Sequence, residues 1–504
     1  MNTRLRLIIL AAVFALLTPA TSMLHAQVLA PTEGIDTRKC IKPKDRAPKP
    51  TDLFAPLTCL EAVVNVSATA DNQAESFVNV NPTNTNNLVA FSNLPPGVGS
   101  IFRAYSTDGG TNWTRGTIAT GVACCDGQAA WDTFGNLFLV YINDGADQIN
   151  VILSTDGGVT FSAPVTVGTG MVDQPSIAVG IGSVWVDWRD SFQSIVARGA
   201  PVTGLGVWGP FNAEQEVPST TGNFGGIAVG PGPGGGKVIV TYQSPFSNAG
   251  PSTIYANVDA DGLGVGGFGP QITVSDTNVG GFLQIPAQPG SHGIDAEAGV
   301  VWDATGGQFN NRIYLVYTDR ITLNTNDTDI WMRTSTDDGT TWSAPVRVND
   351  DATTNSQFLP YVALDPTTGT VGVSFHDCRN DDGVNGTNNI PNDDAEYYGT
   401  FSTDGGVTWA PNTRLSGGFS NATDSGNGID YGDYVGSSAL AGKLYMAWAD
   451  NANCDGTNPD GTLHQFDLYA NPLMLPGGTP TPTPRATPRP RPTPHPRPTP
   501  PPRP

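Results

Sequence analysis

Five carboxylates recur at one kind of place in this chain. Glu75, Asp126, Asp173, Asp295 and Asp433 stand at the head of short apolar runs: ESFVNVNP, DGQAAWD, DQPSIAVG, DAEAGVVWD and DYVGSSA. Two acids facing one another across a channel can serve as general acid and general base on a glycosidic bond. Crowding by like charges raises proton affinity, which a proton donor needs. Asp126, Asp173 and Asp433 are the candidates for that chemistry, with Glu75 and Asp295 as ligand contacts. The same residues would also serve as strand caps or solvated charges, and no spacing rule says which two would pair.

Two further sets carry possible chemistry. Arg189 (WRD), Arg320 (TDR) and Arg379 (HDCR) each follow the end of a β-branched or aromatic run. They suit either an anion or a repeated ion pair with a nearby Asp. The segment HDCRNDDGVNGTNNIPNDDAEYYG concentrates Asp377, Asp381, Asp382, Asp393 and Asp394. Hard oxygen donors at this density suit Ca²⁺, without EF-hand spacing. Walker, dinucleotide, G-x-S-x-G and H-E-x-x-H motifs are absent.

The elements that must position these residues are strands. Inner-strand candidates (ESFVNVNP, GQAAWD, QPSIAVG, FGGIAVG, AEAGVVWD, FLPYVALD, GDYVGSSA) alternate with second strands (NLVAFSN, LFLVYIND, SVWVDWRD, KVIVTYQS, RIYLVYTD, TVGVSFHD, KLYMAWAD). Gly, Asn, Asp and Pro bound these runs, and no helical period interrupts them. The chain is read as all-β.

A polar octet punctuates the units: STDGGTNW at Ser106, STDGGVTF at Ser154, STDDGTTW at Ser335 and STDGGVTW at Ser402. Its Asp (Asp108, Asp156, Asp337, Asp404) can accept turn N–H groups. Its fifth-place glycine (Gly110, Gly158, Gly339, Gly406) permits a left-handed backbone. The aromatic (Trp113, Phe161, Trp342, Trp409) would pack back over the hairpin. The octets therefore read as fold-building devices. Seven units, with octets 48 residues apart from Ser106 to Ser154 and 67 from Ser335 to Ser402, suit a seven-bladed β-propeller. The last unit lacks its fourth strand, and residues 62–67 near the N-terminus are expected to supply it.

The octets resemble the Asp-box, or BNR repeat, of sialidases and related propellers, over about 60–473. The resemblance implies a ligand site on the face away from the octets. It also implies, for a sialidase-type site, three arginines holding a substrate carboxylate (Arg189, Arg320, Arg379) and a tyrosine nucleophile near an inner strand, at Tyr434 or Tyr431. Sialidases have six units where this chain has seven.

The remaining features set address and charge. Residues 1–26, with two arginines and the apolar run 7–17, read as a secretory signal peptide. Residues 27–59 form an extension, 60–475 the propeller, and 476–504 a Pro/Thr/Arg-rich tail whose extended backbone is a spacer or a contact for anionic envelope polymers. A secreted or periplasmic protein is expected, with no membrane span. Six cysteines then favour disulfides, with Cys40–Cys59 and Cys378–Cys454 as preferred pairs and Cys124–Cys125 as a vicinal pair. A zinc site of His376, Cys378, Cys454 and His464 is the alternative use of two of them. The net charge is −21, and the basic residues of the two ends leave the core more acidic still. That sign disfavours nucleic acid. Two functions stay open: binding of a glycan, polymer or protein through the acidic loop face, or glycoside hydrolysis, sialidase-like or by paired carboxylates.

Overall fold

The computed structural model describes residues 63–95, 98–118, 123–218, 221–460 and 465–476. The signal segment, the extension, the tail beyond residue 476, Cys40, Cys59 and His464 lie outside them. The described residues form seven antiparallel sheets of four or five strands each. The innermost strands run Ala74–Asn81, Cys125–Trp131, Asp173–Gly180, Asn223–Gly230, Gly299–Trp302, Gln357–Leu364 and Ser437–Leu440. Each touches the next in order, and the seventh returns to the first. Gly436 donates to Ser76 O at 2.8 Å at that last junction. The chain is a seven-bladed β-propeller, with one four-residue helix, Ala422–Ser425, among the described residues.

Apolar side chains fill the spaces between blades. One cluster joins Phe138, Val140 and Val151 of blade two to Val184, Val186 and Trp188 of blade three. Another joins Tyr314 and Val316 of blade five to Val371, Val373 and Phe375 of blade six. A sheet buried on both faces loses the polar alternation of an exposed strand, which explains the runs LFLVYI and VGVSFHD.

The last sheet is composite. Its strands are Ser437–Leu440, Lys443–Asp450 and Asp467–Met474, and Val64–Asn65 lies along the third, with Val64 opposite Ala470 and Asn65 opposite Tyr469. The Asp467 carboxylate ties the two ends of the chain, accepting from Asn65 Nδ2 and Ser67 Oγ, each at 2.7 Å.

The four octets share one hydrogen-bond pattern. In each, the Ser hydroxyl donates to the Asp at 2.8–2.9 Å and accepts the glycine N–H at 2.8–2.9 Å. The Asp also accepts a backbone N–H four residues on, at 2.9 Å. The glycines have φ of 80–91°, where a side chain would be strained. These hydrogen bonds hold the carboxyl groups below their ordinary range, Asp108 at about 2. The octets also reach the preceding blade: Arg103 Nη1 donates to Gly158 O at 2.8 Å, and Arg312 Nη1 to Gly405 O at 2.7 Å. Asp404→Ala is therefore expected to lower Tm by about 1–2 °C with no change in ligand binding or turnover, checked by calorimetry beside an activity assay.

Candidate functional site

Strand register separates the octets from the acids. In blade one Ala74 pairs with Asn93, which pairs with Ile101, while Leu88 pairs with Ser106 at the other end. The heads of the inner strands thus share one end of the ring and the octets the other.

At that end the backbone repeats a device. The residues Glu75, Asp126, Gln174, Phe224, Glu297 and Leu359 occupy the same place in blades one to six, and all have φ between 45° and 55°. In five of these blades the register slips there, as between Ala74 and Phe77 or Cys125 and Gln128. This is a β-bulge, which re-aims one side chain and ends regular pairing. In blade seven, Gly432 at φ 90° packs against Glu75 so closely that any side chain would collide with it.

The bulges and their neighbours assemble an acidic mouth. Asn93 Nδ2 donates to Glu75, and Asp126 N to Asn93 Oδ1 at 3.2 Å. Gln174 binds two acids: its N–H donates to Asp126 Oδ2 at 3.3 Å and its Nε2 to Asp433 Oδ2 at 2.7 Å. Asp433 Oδ1 lies 3.0 Å from His292 Nδ1. His292 arrives on the loop 278–296, whose Leu283 and Ile285 pack with Phe358, Tyr431 and Val435 of blades six and seven. Gln288 Nε2 of this loop donates to Gly432 O at 2.8 Å.

Burial and mutual repulsion set the protonation. Burial, then Asp173 and Asp433, raises the Asp126 carboxyl to about 8. Burial, then Asp126 and Asp433, holds Glu75 well above its ordinary range. Asp295 and Glu297 are raised by burial and then by neighbouring acids. His292 is raised by its bond to Asp433. At neutral pH Asp126 thus holds a proton it can donate.

A stability prediction follows. Acids raised in the native state bind more protons there than in the unfolded chain, from the ordinary carboxylate range near 4 up to about 8. Across that window stability falls as pH rises, and His292, raised likewise, adds the same sign. The octet aspartates are lowered and cost stability only at more acid pH. Tm is therefore expected to be higher at pH 5 than at pH 8, as a calorimetric pH series would read.

The sequence-derived candidates divide. The structure brings Glu75, Asp126, Asp173, Asp295 and Asp433 to one mouth. It does not free the arginines. Arg189 is paired with Asp173. Arg379 is paired with Asp377 at 2.7 Å and Asp350 at 2.6 Å. Arg320, buried, donates through Nε to Asn278 O at 3.0 Å. These three therefore do not form a triad of free guanidinium groups ready for a carboxylate. Tyr434 is buried beside Glu75 and its hydroxyl makes no aligned hydrogen bond; burial and then Glu75 and Asp126 raise it, the opposite of what a nucleophile needs. Tyr431 is buried too, its hydroxyl donating to Ser420 O at 2.9 Å.

The cysteine and metal expectations also need correction. Cys124 and Cys125 are joined to each other. Cys378 is a free, buried thiol, while Cys454 is held in a disulfide, so the Cys378–Cys454 pair is not formed. The backbone fixes Cys378 at the end of strand Val371–Asp377, its N–H donating to Ser356 O at 2.9 Å. That oxidised Cys454, with His376 enclosed by Phe358, Tyr397 and Tyr431, also removes the zinc alternative. Of the proposed metal ligands, Asp377 serves Arg379 and exposed Asp382 accepts the N–H groups of Val384 and Asn385. Asp381, Asp393 and Asp394 do come together, buried.

Sequence reasoning missed Glu297, Gln174 and His292. Glu297 was within reach: aligning EAGVVW with ESFVNV and DGQAAW puts it at the bulge place. His292 carries no such signal, since it stands on the connecting loop 278–296 and not in a repeated strand.

No protein-family model matches the chain, and no curated protein matches it. Solved structures do. A protein of unknown function from Dyadobacter fermentans is 13% identical, covering 84% of this chain and all of that one, with a TM-score of 0.45. A family PL25 ulvan lyase is 10% identical over 83% of this chain and 97% of its own, TM-score 0.47. The GH93 α-L-arabinofuranosidase of Fusarium graminearum is 14% identical over 64% and 93%, TM-score 0.41. These are likenesses of architecture only. The chemistry must be argued from the mouth itself.

Proposed function

We propose that the axial mouth hydrolyses a glycosidic bond in an uncharged glycan, with Asp126 as proton donor and Asp433 as its partner carboxyl. The observation that carries this is the Asp126–Gln174–Asp433 arrangement, in which one carboxyl is raised to about 8 and the other accepts from Gln174 and His292. Asp126 would protonate the leaving oxygen as the C–O bond breaks, Asp433 would stabilise the positive charge that develops at the anomeric carbon, and a water would add to that carbon and return its proton to Asp126. Gln174, held by the bulge, positions both.

The preference for an uncharged sugar rests on the engaged arginines. An aromatic group beside them supports it. Phe282, 42% exposed, meets Phe224 edge-on at 5.4 Å, Phe224 meets Phe246 at 6.3 Å, and Arg189 lies over Phe246 at 5.3 Å. The exposed Phe282 ring, backed by the other two, suits the C–H side of a sugar ring. A secreted or periplasmic setting is part of the proposal, supported by the N-terminal segment and the cysteine chemistry, and the arginine-bearing tail would hold the protein near anionic envelope polymers.

The test is a panel of chromogenic glycosides against the purified protein, neutral sugars beside a sialic acid and a uronic acid substrate. Turnover of a neutral glycoside, failing as pH rises past about 8, is expected. Glycan binding without turnover on any substrate would reduce the site to a lectin, and a preference for the anionic sugars would overturn the assignment.

A further inference from the structure

We infer that Asp381, Asp393 and Asp394 form a site for a hard divalent cation, Ca²⁺ by its chemistry, that fastens the long loop of blade six. One carboxylate oxygen from each lies within 4.8 Å of the others. All three residues are buried, Asp393 at 5% exposure. Among the described residues no Lys or Arg is ion-paired with them; the nearby Arg379 and Arg414 are taken by Asp377, Asp350 and Glu396.

The hydrogen bonds leave a specific oxygen over. Asp381 Oδ2 accepts the N–H groups of Asp393 at 2.8 Å and Asp394 at 3.0 Å. Asp394 Oδ1 accepts from Thr387 Oγ1 at 2.6 Å and Asn421 Nδ2 at 2.8 Å. Asp393 Oδ2 accepts from Asn388 Nδ2 at 2.9 Å and Asn421 Nδ2 at 3.2 Å. Asp393 Oδ1, fully buried, accepts nothing. A buried carboxylate oxygen with no donor is costly unless it meets a cation. All-oxygen ligands favour Ca²⁺ or Mg²⁺ over zinc or copper, and the larger ion tolerates irregular geometry.

The ion would join the loop at Asp381 to the strand Asp394–Ser402, and the carboxylates it gathers accept from Nδ2 of Asn421, which caps the helix Ala422–Ser425. Ser420, beside it, accepts the Tyr431 hydroxyl, and Asp433 follows two residues later.

The full-length protein is stripped with chelator and titrated with Ca²⁺ in a calorimeter, with Tm recorded alongside. One ion per chain and a rise of about 3 °C at a hundredfold excess over Kd are expected. Asp393→Asn removes the binding and the rise, while Asp126→Asn retains both. Absence of binding to the wild type at millimolar Ca²⁺ overturns the inference, as does a response lost in Asp126→Asn but kept in Asp393→Asn. If Asp393→Asn does not fold, Asp381→Asn takes its place in the same comparison.

Discussion

Asp126→Asn is expected to lower kcat/KM on a neutral glycoside by about 10²–10⁴-fold and to leave Tm unchanged or higher. The amide keeps the size of the carboxyl and tolerates the left-handed backbone that Asp126 adopts at φ 55°. It has no acidic proton to give. It also removes one of several crowded acids, so the fold has nothing to lose at neutral pH. Tyr434→Phe is the control: its hydroxyl is buried without an aligned partner, and the rate should stay within a few-fold. A rate unchanged in Asp126→Asn would remove the proton donor from the mechanism.

The largest effect on stability is expected from deleting the chain through residue 70. Val66 is completely buried, and burying a valine is worth ~1.5–3 kcal/mol. Asp467, raised to about 6 by burial, would lose Asn65, Ser67 and the Thr69 N–H as donors. Unmet buried acceptors cost ~1–3 kcal/mol. Arg115 would lose the carbonyls of Val66 and Asn65, which join this segment to blade one. The strand Asp467–Met474 would become an open edge that invites association. Tm should fall by about 5 °C, with aggregation on heating. Thermal melting and light scattering read both, and a truncated protein that melts like the intact one would show that the segment is not a structural member.

Much of the architecture is written in local patterns. The octets, the apolar runs and their spacing are features of adjacent residues, and turn chemistry and strand pairing act at that range. The acids at Glu75, Asp126 and Asp433 were legible for the same reason, since each begins a recognisable run. What stayed hidden depends on approach across the ring. Gln174 matters because it spans from Asp126 to a residue of blade seven. His292 matters because its loop packs against blades six and seven. The arginines were read as a set because they share a repeat position, yet that shared position gives Arg189 and Arg379 ion-pair partners on their own blades. Cysteine pairing is a matter of space, and Cys378 is walled in where it stands.

The bulge places carry Glu75 and Asp126 on adjacent blades, and Phe224 and Leu359 farther round. Blades one to three thus place only polar side chains here, while in blades four to six Glu297 stands between Phe224 and Leu359, so the seven places are not equivalent round the ring. Because a backbone kink aims each of these side chains, exchanging one for another would change which guests are admitted while leaving the frame as it is.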